Sequence, residues 1–274
     1  MSSSRREFLK KASFASVLFI SGGFRFLSAA ETEALQRNVK LRFAVASDSH
    51  YGQKGTEFDK AFQTITDQIN AFHKNAPLDF CVLNGDLIHN EKHLMPLVKQ
   101  KIDLLTMPYY VTRGNHDMVT PEEWLGVWKM PINHDVVVKK NAILLGDTSN
   151  EKGEYLSPDL KWLESKLIQY KKLDNTFIFI HIPQTKWTPN AIDTPAFAEL
   201  LKKYPKVKAV FHGHEHDQDG VKMLNDIPYL FDSHIGGNWG TKYKGFRVVE
   251  LLKDNSMLTY IMNPTEKINE LQTK

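Results

Sequence analysis

The sequence predicts a single α/β domain built on mixed β-sheets, and three observations carry that prediction. Short runs rich in Val, Ile and Phe alternate with helical patterns at roughly thirty-residue intervals, the rhythm of repeated βαβ units. Five of these runs, KLRFAVAS, DFCVLNGD, PYYVTRGN, NTFIFIHI and KVKAVFHG, are apolar without alternation and lead into turns bearing Asp, Asn, Gly or His. No internal repeat, low-complexity linker or second block of composition divides the 274 residues, a length that buries one full core.

Each of the five apolar runs reads as a strand covered on both faces. Helical spacing predicts helices over residues 57–73, 91–105, 158–171 and 194–203. In the third, Leu160, Leu163 and Leu167 fall at i, i+3 and i+7, with Ser157 as N-cap and Pro158 at the first position. Residues 133–147 contain VVVKK and AILLGD with no helix between them and read as a hairpin. After Gly220 the runs VKMLN, IPYLFDS, FRVVELL and SMLTYIM read as an antiparallel meander, and the tail from Asn263 as surface chain or a frayed helix.

The amino terminus is built differently. Residues 4–10 read SRREFLK, an uncharged run follows from Ala12 to Phe24, and the next stretch ends in SAAETE. A basic start, a short apolar centre and small residues at the end make a signal peptide. The whole of SRREFLK, with Arg5 and Arg6 paired, is similar to the twin-arginine export motif. The uncharged run is thirteen residues long, shorter than the ~20 that a membrane-spanning helix needs. The expected organisation is a twin-arginine leader over residues 1–30, cleaved near Ala29 or Ala30, then one domain over residues 31–274. The twin-arginine export machinery would carry it to a bacterial periplasm, with no stable membrane span in the mature chain. The alternative is an uncleaved leader that anchors the protein.

Charge follows the same division. The chain holds 35 Lys and Arg against 32 Asp and Glu, but residues 1–30 contain five of the basic residues and one acidic, leaving 30 against 31. The apparent basicity belongs to the leader, so net charge offers no support for nucleic-acid binding. Cys81, the single cysteine, lies in the apolar DFCVL; it reads as a buried small hydrophobe, and an internal disulfide is excluded.

Functional groups in open α/β sheets gather beyond the carboxyl ends of the strands. Here Asp48-Ser49-His50 follows the first run, Gly85-Asp86 the second and Gly114-Asn115-His116-Asp117 the third. His181 follows FIFI, and Gly213-His214-Glu215-His216 follows KAVF. Singly, each has a plain structural explanation: GD and GN are frequent turns, an Asp can cap a helix, a His can sit satisfied in a core. Five in order, each at an expected strand end, point to chemistry. His212, His214 and His216 alternate, yet Gly213 interrupts a strand there, so alternation does not guarantee a common face.

The motifs DxH, GD, GNHD, a lone His and GHxH, in this order over roughly residues 40–220, resemble the calcineurin-like metallophosphoesterase superfamily. The resemblance implies an αββα four-layer sandwich, two mixed β-sheets flanked by helices, around a centre of two metal ions. On it, Asp48, His50 and His216 hold one ion, Asn115, His181 and His214 the other, and Asp86 bridges them. His116 stays off the metals as the catalytic residue, placed to give a proton to the leaving oxygen or to stabilise it, and His212 has no matching role. A carboxylate has two oxygens to span ions about 3.5–4 Å apart, and nitrogen and oxygen donors without thiolate suit Mn, Fe or Zn. The implied reaction is in-line attack on phosphorus by a metal-bridging hydroxide.

Other residues admit two readings each. Asp117 orients the His116 imidazole or is a surface turn residue. Arg113 reaches a substrate phosphate or makes a structural salt bridge. His89 is a loop histidine near the pocket or contacts the substrate. His234 and Trp239, in the glycine-flanked FDSHIGGNWG, line the pocket lip or pack against the second sheet.

GDLIHN lacks the arginine-bearing GDxxDRG extension of the serine/threonine protein phosphatases. Its GDL, the GNHD form and the helix SPDLKWLESKL look like the class III cyclic-nucleotide phosphodiesterase and glycerophosphodiesterase branch. A small phosphodiester is the expected substrate. The alternatives are a phosphomonoester, or a metal-containing binding module without catalysis; loss of a ligand would mark the latter, and none is lost.

Overall fold

The computed structural model describes residues 16–20 and 23–262. In chain order the elements are β1 (Ser16–Ile20), β2 (Gly23–Leu27), α1 (Ala29–Leu35), β3 (Val39–Ala46), α2 (Phe58–Asn75), β4 (Phe80–Asn84), α3 (Met95–Ile102), β5 (Tyr109–Thr112), α4 (Pro121–Trp128), β6 (His134–Val138), β7 (Asn141–Gly146), α5 (Leu160–Gln169), β8 (Asn175–Ile180), α6 (Pro195–Lys202), β9 (Val207–His212), β10 (Val221–Leu224), β11 (Ile227–Phe231), β12 (Phe246–Leu252) and β13 (Met257–Met262). They form a seven-stranded sheet, β2-β1-β13-β12-β3-β4-β5, and a six-stranded sheet, β10-β11-β9-β8-β7-β6.

Strand pleating sorts the apolar residues into layers. Phe43 and Val45 of β3 and Phe80 and Val82 of β4 face the space between the sheets, where Ile143, Leu145, Phe177, Phe179 and Phe211 meet them. Ala44, Ala46, Cys81 and Leu83 point the other way, toward buried residues of α2, α3 and α4. On the second sheet's outer face, Ala142, Leu144, Ile178 and Val210 pack with Leu163, Leu167, Phe197 and Leu201 of α5 and α6. Helices, sheet, sheet, helices: this is the αββα sandwich with two mixed sheets. Phe43 locks the centre, stacking on Phe80 at 4.7 Å between centroids and turning its edge to Phe177, Phe179 and Phe211.

The four expected helices are present; the first runs two residues past its expected end, to Asn75, the other three are shorter, and a 3₁₀ turn opens the second at Lys92–Leu94. The third begins later than its sequence spacing suggests: Asp159, not Ser157, caps it, accepting from the backbone of Lys161 and Trp162. Helix α4 was not expected. Thr120 and Glu123 close a capping box on it, and Trp124 and Trp128 bury its inner face. The expected meander is split. β10 and β11 pair with each other, but β11 runs parallel to β9, while β12 and β13 belong to the other sheet. The loop after β11 must therefore cross between sheets, and it passes over the strand ends that carry the motifs.

Of the expected leader, Arg5 and Arg6 lie outside the described residues, as does the tail from Asn263. Residues 16–20 and 23–27 form an antiparallel hairpin, and β1 pairs with β13 at the edge of the first sheet. Ser28 then caps α1 in a capping box with Glu31. No helix among the described residues is long and apolar enough to cross a membrane.

Candidate metal centre

The motif residues follow β3, β4 and β5 of one sheet and β8 and β9 of the other, all at the carboxyl ends of parallel strands. The loops are tied backbone to backbone. Asp48 N–H donates to the Gly85 carbonyl at 3.0 Å, His50 N–H to that of Asp86 at 3.0 Å, and Gly236 N–H to that of Asp48 at 2.9 Å. Asp48, His50, Asp86 and His214 have φ of 58°, 42°, 52° and 68°, in the left-handed region that non-glycine residues rarely enter. Such strain persists where surrounding structure over-determines it, as at functional sites. Gly236 is required by contact: a Cβ there would lie 1.7 Å from the Ser49 carbonyl oxygen.

Two donor sets converge. Asp48, His50 and His216 form one, and Asp86, His181 and His214 the other, the donor atoms of each lying within 4.8 Å of one another; His50, His89 and His116 make a third such cluster beside them. In the first, His50 Nε2 is 2.9 Å from His216 Nε2, which is 3.2 Å from Asp48 Oδ1. Donors around an ion at about 2.0–2.2 Å stand roughly 3–3.5 Å apart, so these spacings fit a metal. Asp86 Oδ2 lies between the sets, 3.5 Å from His50 Nε2 and 3.2 Å from His181 Nε2. Asn115 Oδ1, His181 Nε2 and His214 Nε2 are buried without a hydrogen bond. Buried polar atoms are rarely left so, and three together suit an ion.

Ring orientation agrees. His181 Nδ1 faces the Asn84 carbonyl at 2.7 Å and His216 Nδ1 that of Trp239 at 3.3 Å, which turns each Nε2 inward. Burial pushes His50 down to about 3 and His214 down to about 4, so both are neutral donors at pH 7. Burial opposes ionisation of Asp48, yet the imidazoles of His216 and His181 hold it at about 2. Asp86 lies well below the ordinary carboxylate range because, against burial, His181 is beside it.

The remaining candidates separate. His116 is half-buried beside this centre, its ring 4.8 Å from that of His50, and its backbone N–H donates to Asp86 Oδ1 at 2.7 Å. His89 meets His50, Nδ1 to Nδ1, at 2.9 Å. Trp239 is 43% exposed at the lip and stacks on His216 at 4.2 Å and 8°. Arg113 is buried in an ion pair. It is 3% exposed and committed to both Asp147 oxygens, at 3.1 and 2.6 Å, and to the carbonyls of Val119 and Ser149. His234 is likewise buried behind His216, its ring nitrogens facing the carbonyls of Gly236 and Thr241.

Asp117 neither orients His116 nor lies at the surface. It accepts from the backbone of Leu87, Ile88 and Gly114 and pins the β4 and β5 loops together. His212 is fully buried, Nδ1 toward the Ile180 carbonyl at 3.2 Å. Two neighbours of the site were not singled out from sequence. Tyr155, 40% exposed, sets its ring edge-on to His214 at 4.8 Å. Asn90 lies 2.8 Å from His116 Nδ1. Asn90 follows Asp86 by four residues, a signal of proximity; Tyr155 has no motif near it.

The fold and its two donor sets define a class, and comparison with known proteins agrees. Residues 41–218 match the family model described as calcineurin-like phosphoesterase. The probable glycerophosphodiester phosphodiesterase GpdQ of Arcobacter nitrofigilis is 31% identical over 195 residues, 62% of this chain and 70% of that protein. The crystal structure of a dimetal phosphatase from Danio rerio superposes with a TM-score of 0.69 at 12% identity, over 84% of this chain and 98% of that one. The calcineurin-like phosphoesterase YfkN from Bacillus subtilis gives 0.55 at 13% identity, over 85% and 94%. The chain belongs to the calcineurin-like phosphoesterase family. It is a metal-dependent phosphoester hydrolase.

Proposed function

We propose that the protein is a phosphodiesterase acting on a small substrate at a two-metal centre. Asp48, His50 and His216 would hold one ion, Asn115, His181 and His214 the second, with Asp86 between them. Bound there, the ions would supply positive charge to the phosphate oxygens and activate water for in-line attack on phosphorus. His116 stands off the donor sets and gives a proton to the leaving oxygen. Trp239 offers a flat apolar face at the lip for one ester substituent.

The observation that carries the diester reading is the engagement of Arg113. With its guanidinium spent on Asp147 and two carbonyls, it offers no clamp for the second charge of a monoester. A singly charged diester needs none. The relative named as a glycerophosphodiester phosphodiesterase supports the same choice. The test uses the purified protein loaded with Mn²⁺, an aryl phosphodiester and its matching monoester. The diester is expected to turn over faster, and Asp86→Ala to abolish both turnover and full metal loading. Faster monoester turnover overturns the diester reading; no turnover of either by metal-loaded protein overturns the enzyme.

We further propose export by the twin-arginine route. A reporter fused to residues 1–30 should lose translocation when Arg5 and Arg6 are both changed to Lys; unchanged translocation sinks the proposal.

A further inference from the structure

We propose that Asn90 is the positioning residue of His116, holding the imidazole at Nδ1 so that Nε2 delivers the proton to the leaving oxygen. The inference rests on the acid role of His116 proposed above. Asn90 Oδ1 lies 2.8 Å from His116 Nδ1. Asn90 N–H donates to the His116 carbonyl at 2.9 Å. The ring of His89 lies almost flat against that of His116, at 4.8 Å and 13°. One short segment thus grips His116 by its backbone, one ring edge and one ring face. Asn90 takes φ of 63° to do so, a conformation that Asn tolerates better than most residues.

An amide oxygen accepts and cannot donate, so Nδ1 keeps its hydrogen and the transferable proton is confined to Nε2. Among the described residues no hydrogen bond occupies that nitrogen. As the bond from phosphorus to the leaving oxygen breaks, the oxygen keeps the electron pair and takes the Nε2 proton. The neutral imidazole left behind retains Nδ1–H on Asn90 and regains a proton from water.

The test uses the full chain loaded with Mn²⁺ and a series of phosphodiesters whose leaving groups run from a nitrophenolate to an alkoxide. A nitrophenolate leaves as a stable anion, whereas an alkoxide depends on the proton. Asn90→Ala is expected to lower kcat about tenfold on alkyl esters, the worth of one hydrogen bond, and about twofold on the nitrophenyl ester. KM and bound metal should stay unchanged. Asn90→Asp, which can only accept, should restore most of the alkyl rate, and Asn90→Ala should add nothing in a His116→Ala background. Equal loss on every ester, no loss, or additive loss in the double variant overturns the positioning role and leaves the phosphodiesterase reading standing. A wild type that turns over none of the series overturns both.

Discussion

Arg113 shows how a residue beside a catalytic motif can be structural. It precedes Gly114-Asn115-His116, which invites a phosphate contact, but its guanidinium is held by Asp147, whose two oxygens accept from Nε and Nη2 along one edge. Removing one partner of a buried pair strands the other charge and costs about 3–5 kcal/mol. Arg113→Ala should therefore unfold at markedly lower denaturant concentration, while the KM of the fraction that stays folded is retained. A raised KM at unchanged stability would return Arg113 to the substrate. Gly85 makes the converse point, since its φ is 84° and a Cβ there would sit 2.4 Å from His181 Nδ1. The glycine in GD is as much part of the site as the aspartate.

At the scale of elements, the hairpin of β1 and β2 extends the first sheet. Val17 and Phe19 enter the layer between the sheets and Leu18 and Leu27 the layer beneath the helices. Burial of such side chains is worth about 1.5–3 kcal/mol each. A chain begun at Glu31 should melt below the full chain and associate more readily, because the edge of β13 is uncovered. Thermal melts and light scattering on the two forms check this; identical behaviour would show that the hairpin adds nothing to the domain. Loss of a leader by cleavage would uncover the same edge. The loop between β11 and β12 works at the same scale, crossing from one sheet to the other and setting Gly236 against Ser49 and Trp239 against His216.

For the whole molecule, the two sheets meet at their carboxyl ends, and each sheet supplies part of the donors. A metal bound there would crosslink the halves and favour the folded chain. At a hundred times its dissociation constant it adds about 2.7 kcal/mol. Mn²⁺ should raise the melting temperature and a chelator lower it, with Asp86→Ala abolishing the difference. An equal rise in the variant would place the stabilising ion elsewhere.

The sequence by itself determined the class: five motifs at the ends of five apolar runs are local signals, each written in three or four adjacent residues. It also located four of the six α-helices among the described residues, since apolar spacing is a property of the segment, but not α1 or α4. What it could not contain was which strand pairs with which. The runs after Gly220 look alike, and only the packing of two sheets sends β11 beside β9 and β12 beside β3. The same packing decided which way Arg113, Asp117 and His234 face, and brought Tyr155 and Asn90 to the site. Those outcomes depend on contacts between distant segments, where burial and hydrogen bonding outweigh any preference of the residues nearby.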